Sequence, residues 1–422
     1  MYFRTLLSLL ILATIALGLT ACKGCNRPTP VASNEVVKQN NPISLEKMQS
    51  AADAERDFST TIYPLLKGDN NFIYSPYSLW SALSMTCAGA NGNTKTEMAT
   101  ALRLNASDPS VHEAIGALNE VLKKKSGIED EGFRLNIKND LWLEKSYQLK
   151  DSFLATTKAN YDAKASLLDF KNDAEGSRVT INSSIEKDTE GKIKDLIPEG
   201  VLTPVTRLVL TNAIYLKAKW FHSFKHSSTY SQDFNIGTSI IKTDMMHNTE
   251  TFRVADDANY TAVEMPYLSS EFALVALLPK NDLKVLESTF TGAMFKKLRD
   301  IFKSERIELA FPKFKVESTM ALNPALESSG MKDAFDEKKA DFSMMTEKND
   351  LFISQVLQKA FIQVDEEGTE AAAATAVIMV EKSMASPEQL RRITFDKPFA
   401  YAIWHVPTST VLFMGRLTNP KG

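Results

Sequence analysis

The sequence predicts an α+β protein in which helices come first and β-sheets follow. Helical spacing of apolar residues dominates up to about residue 200, with short strand-like interruptions. From Leu208 the pattern changes to short strands rich in β-branched and aromatic residues. Of the 422 residues, 44% are hydrophobic and 24% are charged, and no linker rich in glycine, serine or proline follows residue 45. We therefore expect one large domain over residues 45–422.

The N-terminal residues have the features of an export signal. Arg4 precedes an apolar run over residues 6–19, and Leu19-Thr20-Ala21-Cys22 completes it. Small residues before a cysteine at this distance are typical of a bacterial lipobox, which predicts a signal peptide over residues 1–21 and a lipid on Cys22. A plain secretory signal or a short anchor helix is the alternative, although the run is marginal for spanning a bilayer. The lipobox predicts an exported protein, lipid-anchored to a bacterial membrane at the cell surface or in the periplasm.

Residues 22–44 are polar and contain prolines, which indicates a flexible tether between the anchor and the domain. The chain has three cysteines, Cys22, Cys25 and Cys87. With Cys22 acylated only two remain, so no disulfide framework is implied. Cys87 lies in an apolar helical pattern, and we interpret it as a buried small hydrophobic residue rather than a nucleophile.

Helix and strand signals are clear at several places. Residues 45–66 have helical spacing, and Ser75 with Pro76 predicts the start of a second helix, with serine as the N-cap and proline in the first turn. Gly89 to Gly92 predicts its end. The predicted strands lie at residues 140–143, 208–210, 272–278, 307–311, 400–404 and 411–414.

Residues 366–382 form the most informative segment. Alanine and glutamate favour a helix over roughly 369–382, whereas Gly368 and the β-branched residues favour an extended chain, so propensity alone does not decide. If the segment is extended, Glu370 points away from a face of small or apolar side chains. No proline lies between Gly368 and Ser386, so every backbone donor needed by a central strand is present. The face of small or apolar side chains consists of Thr369, Ala371, Ala373, Thr375, Val377 and Met379.

Residues 366–375, Glu-Glu-Gly-Thr-Glu-Ala-Ala-Ala-Ala-Thr, resemble the proximal hinge of inhibitory serpins nearly position for position. Further motifs similar to the same family follow in order: 71–78 (Asn-Phe-Ile-Tyr-Ser-Pro-Tyr-Ser), 89–94, 189–193, 210–215 (Leu-Thr-Asn-Ala-Ile-Tyr), 312–315, 330–335, 340–343, 395–399 (Phe-Asp-Lys-Pro-Phe) and 412–417. The resemblance covers essentially all of residues 45–420. It implies helices packed around three β-sheets, with an exposed reactive-centre loop.

The resemblance also implies a function, the trapping of a serine protease that cleaves the loop. In inhibitory serpins the cut lies fourteen residues after the hinge glycine, which from Gly368 places the reactive bond at Lys382-Ser383. A lysine there fits a trypsin-like primary pocket. Glu381 is unfavourable for many such proteases, and Val380-Glu381 is an alternative bond for other enzymes. The hinge residues expected to take part in insertion are Glu366, Gly368, Thr369, Glu370, Ala371, Ala372, Ala373, Ala374 and Thr375.

Two further groups of residues follow from the resemblance. Ser75, Ser78 and Asn212 match the polar cluster beneath the central sheet that governs its opening. Gln358 stands where the family often has histidine, and glutamine keeps a donor and an acceptor but cannot titrate. Glu366 and Lys313 match an ion pair of the family at the upper end of the sheet, and Trp220 matches the aromatic residue beside it. Fold stability is the alternative role for all of them.

The sequence does not indicate an enzyme, because it has no GxSxG elbow, HExxH motif or phosphate-binding glycine loop. His222 and His226 have the spacing of one helix face, but no third ligand accompanies them, so we interpret them as surface residues and expect no metal and no cofactor. The net charge of −3 gives no indication of a nucleic-acid partner. The run 123–125 is three lysines, which we interpret as a solvated face; a polyanion site is the alternative.

We expect a monomer whose partners are serine proteases and, through Cys22, a membrane. A non-inhibitory serpin acting as a chaperone or binding protein is the rival interpretation. Such serpins generally carry bulky or charged residues in the hinge, whereas the inward face here is small and uncharged.

Overall fold

The folded unit extends from Ile43 to Gly422, and most of its described helices lie in its first half. The computed structural model describes residues 45–66, 68–126, 133–268, 270–348, 350–369 and 390–422. Several predicted site residues lie outside these ranges: Cys22, the hinge residues from Glu370 to Thr375, and the bond Lys382-Ser383. Within the described ranges no helix is both long and apolar enough to cross a membrane.

The helices of the described residues include the two that were predicted. Their bounds are α1 Leu45–Leu66, α2 Pro76–Cys87, α3 Gly92–Ala101, α4 Val111–Ser126, α5 Asp151–Asn160, α6 Ala174–Asp188, α7 Leu283–Glu287, α8 Gly292–Ile301 and α9 Asn323–Ser328.

Helix α2 is the central core helix, since every one of its residues is buried. Its start is as predicted: Ser75 is the N-cap, its hydroxyl group accepts a hydrogen bond from the Ser78 amide at 3.3 Å, and Pro76 occupies the first turn. Cys87, the last residue of α2, is a free and buried thiol. Its burial is as predicted, and burial raises the pKa of the Cys87 thiol to about 11.

The strands in chain order are β1 Phe72–Tyr74, β2 Phe133–Glu144, β3 Ala165–Leu168, β4 Leu208–Lys219, β5 Thr229–Asn235, β6 Ile240–Asp256, β7 Tyr260–Pro266, β8 Phe272–Pro279, β9 Lys303–Pro312, β10 Phe314–Ala321, β11 Ile353–Val364, β12 Gly368–Thr369, β13 Arg391–Thr394, β14 Phe399–His405 and β15 Thr410–Leu417. Each predicted strand lies within one of them. The prediction for residues 140–143 was too short, because the preceding part of β2 mixes charged and apolar residues.

One sheet has six strands in the order β10-β11-β12-β4-β2-β3. Its two central long strands, β4 and β11, are parallel and pair directly from Leu208 with Ile353 to Ile214 with Ala360. Above that stretch the short strand β12 lies between them. The six-stranded sheet can therefore be divided into a lower half where β4 and β11 are joined and an upper half where they are separated.

The other strands form a nine-stranded ladder that bends along β6. The first part of β6 pairs with β5, its last residues pair with β7, and its other edge pairs with β9. Strands β8, β14, β15 and β1 extend the ladder from β7. β5 and β7 therefore share one edge of β6, and β6 joins them to β9 within one ladder. The described strands thus form two hydrogen-bonded sheets where three were expected, because β6 is continuous across the bend and joins the strands on either side of it.

The lower half of the six-stranded sheet is covered on both faces. Its inner face packs on α2 and on the nine-stranded ladder within the main core. Its outer face carries a second apolar cluster in which Trp142 and Val209 of the sheet pack against Ile181 and Ile185 of α6. A sheet covered on both faces can accept an additional strand only if that strand also presents side chains suited to burial.

Candidate functional site

The candidate site begins where β11 turns back into the sheet. After Val364 the chain reverses, and Gly368 and Thr369 form β12 antiparallel to β4, opposite Lys219 and Ala218. Thr369 also pairs with Val364 of β11. Gly368 and Thr369 of the expected hinge are therefore already part of the central sheet in the intact chain. The sequence-based expectation of a loop held wholly outside the sheet does not apply to these two residues.

Gly368 is required by the close approach of two backbones. A Cβ atom at this position would lie 2.0 Å from the carbonyl oxygen of Ala218 and 2.8 Å from the Cα of Lys219. Neither atom belongs to a flexible side chain, so no residue other than glycine fits without moving the strand. The glycine thus permits β12 to lie directly against β4.

Thr369 is buried beneath the sheet, with only 1% of its surface exposed. Its hydroxyl group lies 2.7 Å from the hydroxyl group of Tyr267, which follows β7. The Tyr267 ring is stacked on Trp220, with ring centroids 4.8 Å apart and planes 7° from parallel. Burial raises the pKa of Tyr267 far above physiological pH, so this hydroxyl group remains a neutral donor and acceptor.

The turn before β12 is held by Asp365 and Trp220. The Asp365 carboxylate accepts hydrogen bonds from the amides of Glu367 at 3.0 Å and Gly368 at 3.3 Å. The indole N–H of Trp220 donates to the Asp365 carbonyl at 2.9 Å, and the Trp220 amide donates to the Glu367 carbonyl at 2.9 Å. Burial raises the pKa of Asp365 despite the two amide donors. The backbone is thus fixed at the point where the loop leaves β11.

Glu366 connects this turn to the neighbouring strands. One carboxylate oxygen lies 2.8 Å from the ammonium nitrogen of Lys313, as the resemblance implied. The other lies 3.4 Å from Nδ1 of His226, whose Nε2 is 3.7 Å from the Glu367 carboxylate. Burial acts to raise the pKa of Glu366, but the hydrogen bond from Lys313, a backbone hydrogen bond, the Thr229 hydroxyl group and the charge of Lys313 together hold the pKa below its ordinary value. Glu366 is therefore a buried anion at neutral pH.

A second polar group lies deeper, between α2 and the six-stranded sheet. The Ser75 amide donates to Gln358 Oε1 at 2.9 Å, and Gln358 Nε2 donates to the Ser75 carbonyl at 2.9 Å and to Asn212 Oδ1. Asn212 Nδ2 in turn donates to Ser78 Oγ. The structure thus brings together the four residues Ser75, Ser78, Asn212 and Gln358, which we call the sheet-opening network. Both β4 and β11 are tied to α2 through it.

A fifth residue of this network, Asn139 on β2, was missed from the sequence. Its Oδ1 accepts hydrogen bonds from Ser78 Oγ at 2.8 Å and from Asn212 Nδ2. The sequence pattern could have indicated it. Leu135, Ile137 and Leu141 share one face of β2 with Asn139, and a single polar residue on an apolar strand face needs a buried hydrogen-bond partner. Tyr267 and Asp365 were also missed, and neither stands out in its local sequence.

The two histidines do not share a helix face. His222 packs edge-on against Phe221 and Phe252, and His226 begins a short 3₁₀ turn, His226–Ser228. His226 is exposed and His222 is half-buried, so the interpretation as surface residues holds for His226 and in part for His222. Among the described residues no group of histidine, cysteine, aspartate and glutamate is suited to holding a metal ion.

Comparison with known proteins gives consistent matches over this domain. Residues 53–420 match the family model described as Serpin (serine protease inhibitor). Leukocyte elastase inhibitor A from Mus musculus is 35% identical over 390 residues, covering 88% of this chain and 100% of that protein. Serpin B9 from Homo sapiens is 36% identical over 387 residues, again covering 88% of this chain and 100% of the relative.

The solved structures agree in fold. The crystal structure of human thyroxine-binding globulin superimposes with a TM-score of 0.79 at 30% identity, covering 89% of this chain and 99% of that one. That protein was solved with a bound small ligand, as its name states. The fold is therefore shared by a protein named as an inhibitor and by one named for ligand binding, and the loop and hinge must decide between these uses.

Proposed function

Since the chain belongs to the serpin family, we propose that it inhibits serine proteases as an irreversible suicide substrate. The observation that carries this proposal is the entry of Gly368 and Thr369 between β4 and β11. These two residues occupy the start of the position that a further central strand would take. The residues that follow Thr369 in the sequence would present small, uncharged side chains on the inward face of that strand.

The chemistry belongs to the target protease. Its serine hydroxyl attacks the carbonyl carbon of Lys382, an ester to Lys382 forms, and the amine of Ser383 leaves. Hydrolysis of that ester would regenerate the protease. In the proposed mechanism the loop, released by cleavage, inserts into the sheet before hydrolysis and carries the acylated protease with it.

Insertion requires the lower halves of β4 and β11 to separate. Their direct pairing ends at Ile214 with Ala360, and the inserting strand must replace it with two new ladders. Gln358 and Asn212 face one another at that junction, one on each strand. The hydrogen bond between Gln358 and Asn212 therefore connects the two strands that must move apart. The other hydrogen bonds of the sheet-opening network hold both strands to Ser75 and Ser78 at the start of α2.

We propose trypsin-like proteases as the targets, because Lys382 is the residue at the counted reactive bond. Glu381 next to it argues for a protease that tolerates an acidic neighbour. A cut at Val380-Glu381 would instead suit an enzyme with a small apolar pocket, and one of the relatives is named for the inhibition of leukocyte elastase.

The test is incubation of the intact protein with trypsin. We expect a covalent complex that survives denaturing electrophoresis, and mass spectrometry should find the released C-terminal fragment beginning at Ser383. Lys382→Gln should abolish the complex with trypsin, whereas the control Lys397→Gln should leave it unchanged. A released fragment without any complex would contradict the inhibitory proposal, and a fragment beginning elsewhere would correct the bond.

The alternative is a non-inhibitory serpin that acts as a chaperone or binding protein. The two proposals differ in the cleaved state, because an inserted strand adds pairing and buried area. We expect the cleaved chain to keep its fragments associated and to melt at a higher temperature than the intact chain. A lower melting temperature after cleavage would favour the non-inhibitory alternative.

We further propose that the protein is exported and anchored through a lipid on Cys22, on the strength of the sequence Leu19-Thr20-Ala21-Cys22. Expression in a bacterial host followed by detergent phase separation tests this. Cys22→Ser should move the protein to the aqueous phase, and the matched control Cys25→Ser should not. Equal partitioning of the two variants would contradict the lipid anchor.

A further inference from the structure

An open groove lies on the outer side of the strands β5, β6, β9 and β13. Ile307, Leu309 and Phe311 of β9 are buried in the main core, so alternation places Glu308 on the opposite, outer face. The register between the strands extends this face across all four of them. The cavity over the face has a volume of about 870 Å³, and we call it the outer groove. Its lining includes Tyr230, His247, Thr249, Glu308, Arg392 and Thr394.

Both anchor points of the proposed reactive-centre loop lie beside this groove. On the C-terminal side the loop leads into β13, and Arg392 of that strand lines the groove. On the N-terminal side the Glu366 carboxylate lies 3.4 Å from Nδ1 of His226. The two residues that follow His226, Ser227 and Ser228, also line the groove. The groove therefore extends from one anchor of the loop to the other.

The length of the chain brings the reactive bond within reach of the groove. Arg391, the first residue of β13, follows Lys382 by nine residues. Nine residues span at most about 30 Å. A protease domain of about 200 residues is about 40 Å across. A protease that holds Lys382 in its active site is therefore large enough to cover the groove at the same time.

The groove presents one aromatic side chain in a fixed position. Tyr230 is 52% exposed, yet its ring is stacked on His247 with centroids 4.3 Å apart and planes 2° from parallel. Burial, and then the positive charge of Arg392, lower the pKa of His247, so the stacked imidazole is neutral at pH 7. A tyrosine held in this way loses little conformational entropy when a partner covers it. Fixed, exposed tyrosines are typical anchors of protein–protein interfaces.

The charges of the groove are largely paired with one another. The guanidinium group of Arg392 lies 2.8 Å from the Glu308 carboxylate, and the Lys242 ammonium group lies 2.7 Å from the Asp233 carboxylate. The groove therefore has no excess of positive charge that would favour a polyanion. Its charge pattern suits a polar protein surface.

Three neutral side chains of the groove are available to a partner. Gln232, Thr249 and Thr394 form no side-chain hydrogen bond to another residue in the described ranges. We propose that the outer groove is a second contact surface for the trypsin-like protease that binds at Lys382, with Tyr230 as its anchor; this inference rests on the proposed function. Such a surface selects among proteases that share one primary pocket, because it adds affinity only where the protease surface fits.

The measurement is the second-order rate constant for cleavage of the intact protein by trypsin. Tyr230→Ala should lower this rate constant at least fivefold. The ratio of complexed to cleaved product should stay unchanged, because docking precedes cleavage and insertion follows it. The melting temperature should also stay unchanged, since the Tyr230 ring is half exposed. The matched control is Leu154→Ala, which removes an exposed apolar side chain of α5 outside the groove and should leave the rate constant unchanged.

Equal rate constants for the natural chain and Tyr230→Ala would overturn the proposal, and so would equal losses in Tyr230→Ala and Leu154→Ala. If Tyr230→Ala does not fold, Thr249→Arg is the second variant, because Thr249 is exposed and an arginine there obstructs the groove. At least fivefold slower cleavage is expected again, and an unchanged rate constant would overturn the proposal.

The rate constant can be measured whether or not a covalent complex forms. Cleavage without any complex would contradict the inhibitory function alone. The comparison of Tyr230→Ala with Leu154→Ala would still decide whether the protease uses the outer groove. The two proposals therefore fail separately.

Discussion

The hydroxyl groups of Tyr267 and Thr369 lie 2.7 Å apart in the interior, and they connect the residue directly after β7 to the hinge strand β12. Neither group has access to water, because Tyr267 and Thr369 are both buried. Separation of the pair therefore leaves two unsatisfied groups unless the hinge also leaves the sheet. The contact favours the state in which the hinge has entered.

A double-mutant cycle measures this contact. Tyr267→Phe keeps the ring stacked on Trp220 and removes only the hydroxyl group, and Thr369→Val does the same from the other side. Each single variant should lose about 1–2 kcal/mol of stability, since a buried partner is left unsatisfied. The double variant should lose less than the sum, with a coupling near 1 kcal/mol in urea unfolding. Strictly additive losses would mean that the two hydroxyl groups do not interact.

Gly368→Ala should expel β12 from the sheet. The new Cβ would meet the Ala218 carbonyl oxygen at 2.0 Å, and both strands are too constrained for a small adjustment. Hydrogen exchange at Thr369 should become at least tenfold faster in the variant, because its amide loses its place in the sheet. The matched control is Gly68→Ala, where a Cβ meets nothing within 4 Å. Unchanged exchange in Gly368→Ala would contradict the described position of β12.

Gln358→His should introduce a pH dependence that the natural chain lacks. A neutral imidazole can accept from the Ser75 amide and donate onward, as Gln358 does, but a protonated imidazole has no acceptor. Protonation is therefore disfavoured in the folded state, and the histidine pKa falls below its unfolded value of about 6.5. Stability should decline as the pH falls through that value.

The measurement is the melting temperature between pH 5 and pH 8. The variant should match the natural chain at pH 8 and melt several degrees lower at pH 5. A substitution at an exposed position, Gln148→His, serves as the control for an added histidine. If both variants respond to pH equally, Gln358 does not have the role assigned to it.

Glu55 on α1 predicts a second dependence on pH, with the opposite sign. It is fully buried and accepts hydrogen bonds from Ser59 Oγ at 2.6 Å and from the Val411 amide at 2.9 Å. Burial raises its pKa from 4.5 to about 8. The folded state thus binds this proton more tightly than the unfolded state does. Its stabilising effect is complete below about pH 4.5 and declines as the pH rises toward 8, by up to about 1.4 kcal/mol per pH unit.

Glu55→Gln should remove this slope, because the amide stays neutral and keeps an acceptor for Val411. Unfolding by urea at pH 5, 6, 7 and 8 gives the comparison, and the exposed Glu113→Gln of α4 is the control. The same slope in natural chain and variant would show that Glu55 does not titrate in this range.

The sequence was sufficient for features that depend on near neighbours. Ser75 and Pro76 predicted the start of α2, and residues 45–66 predicted α1, because capping and helical spacing act within a few residues. The hinge contacts were not predictable in this way. Tyr267 and Thr369 are 102 residues apart, and a strand of two residues has no periodicity to detect. Only the assembled sheet determines that β12 fits there.

The resemblance supplied part of what local pattern could not. Lys313, Glu366 and Trp220 meet at the upper end of the sheet, as the family motifs implied. It gave no indication of His226 beside Glu366 or of Asn139 in the sheet-opening network. Those contacts depend on how this chain's own side chains pack, and so they had to come from the structure.

Thr369→Arg gives the most direct test of insertion, because inhibition is a race between insertion of the loop and hydrolysis of the acyl-enzyme. Thr369 is already buried, so an arginine there must either force β12 out of the sheet or place an unpaired charge in the interior, at several kcal/mol. A barrier raised by only about 1.4 kcal/mol slows insertion tenfold. Trypsin should therefore cleave the variant and be released.

The control for this variant is Glu370→Arg, at the next position in the sequence. Alternation along an extended strand places residue 370 on the face opposite Thr369, so its arginine should have much less effect on insertion. Gel electrophoresis with trypsin gives the ratio of complexed to cleaved product for both variants. Thr369→Arg should give mostly cleaved product, and Glu370→Arg should give mostly complex. Stoichiometric complex with Thr369→Arg would show that insertion does not begin at β12, because an arginine cannot enter the Thr369 position without slowing it.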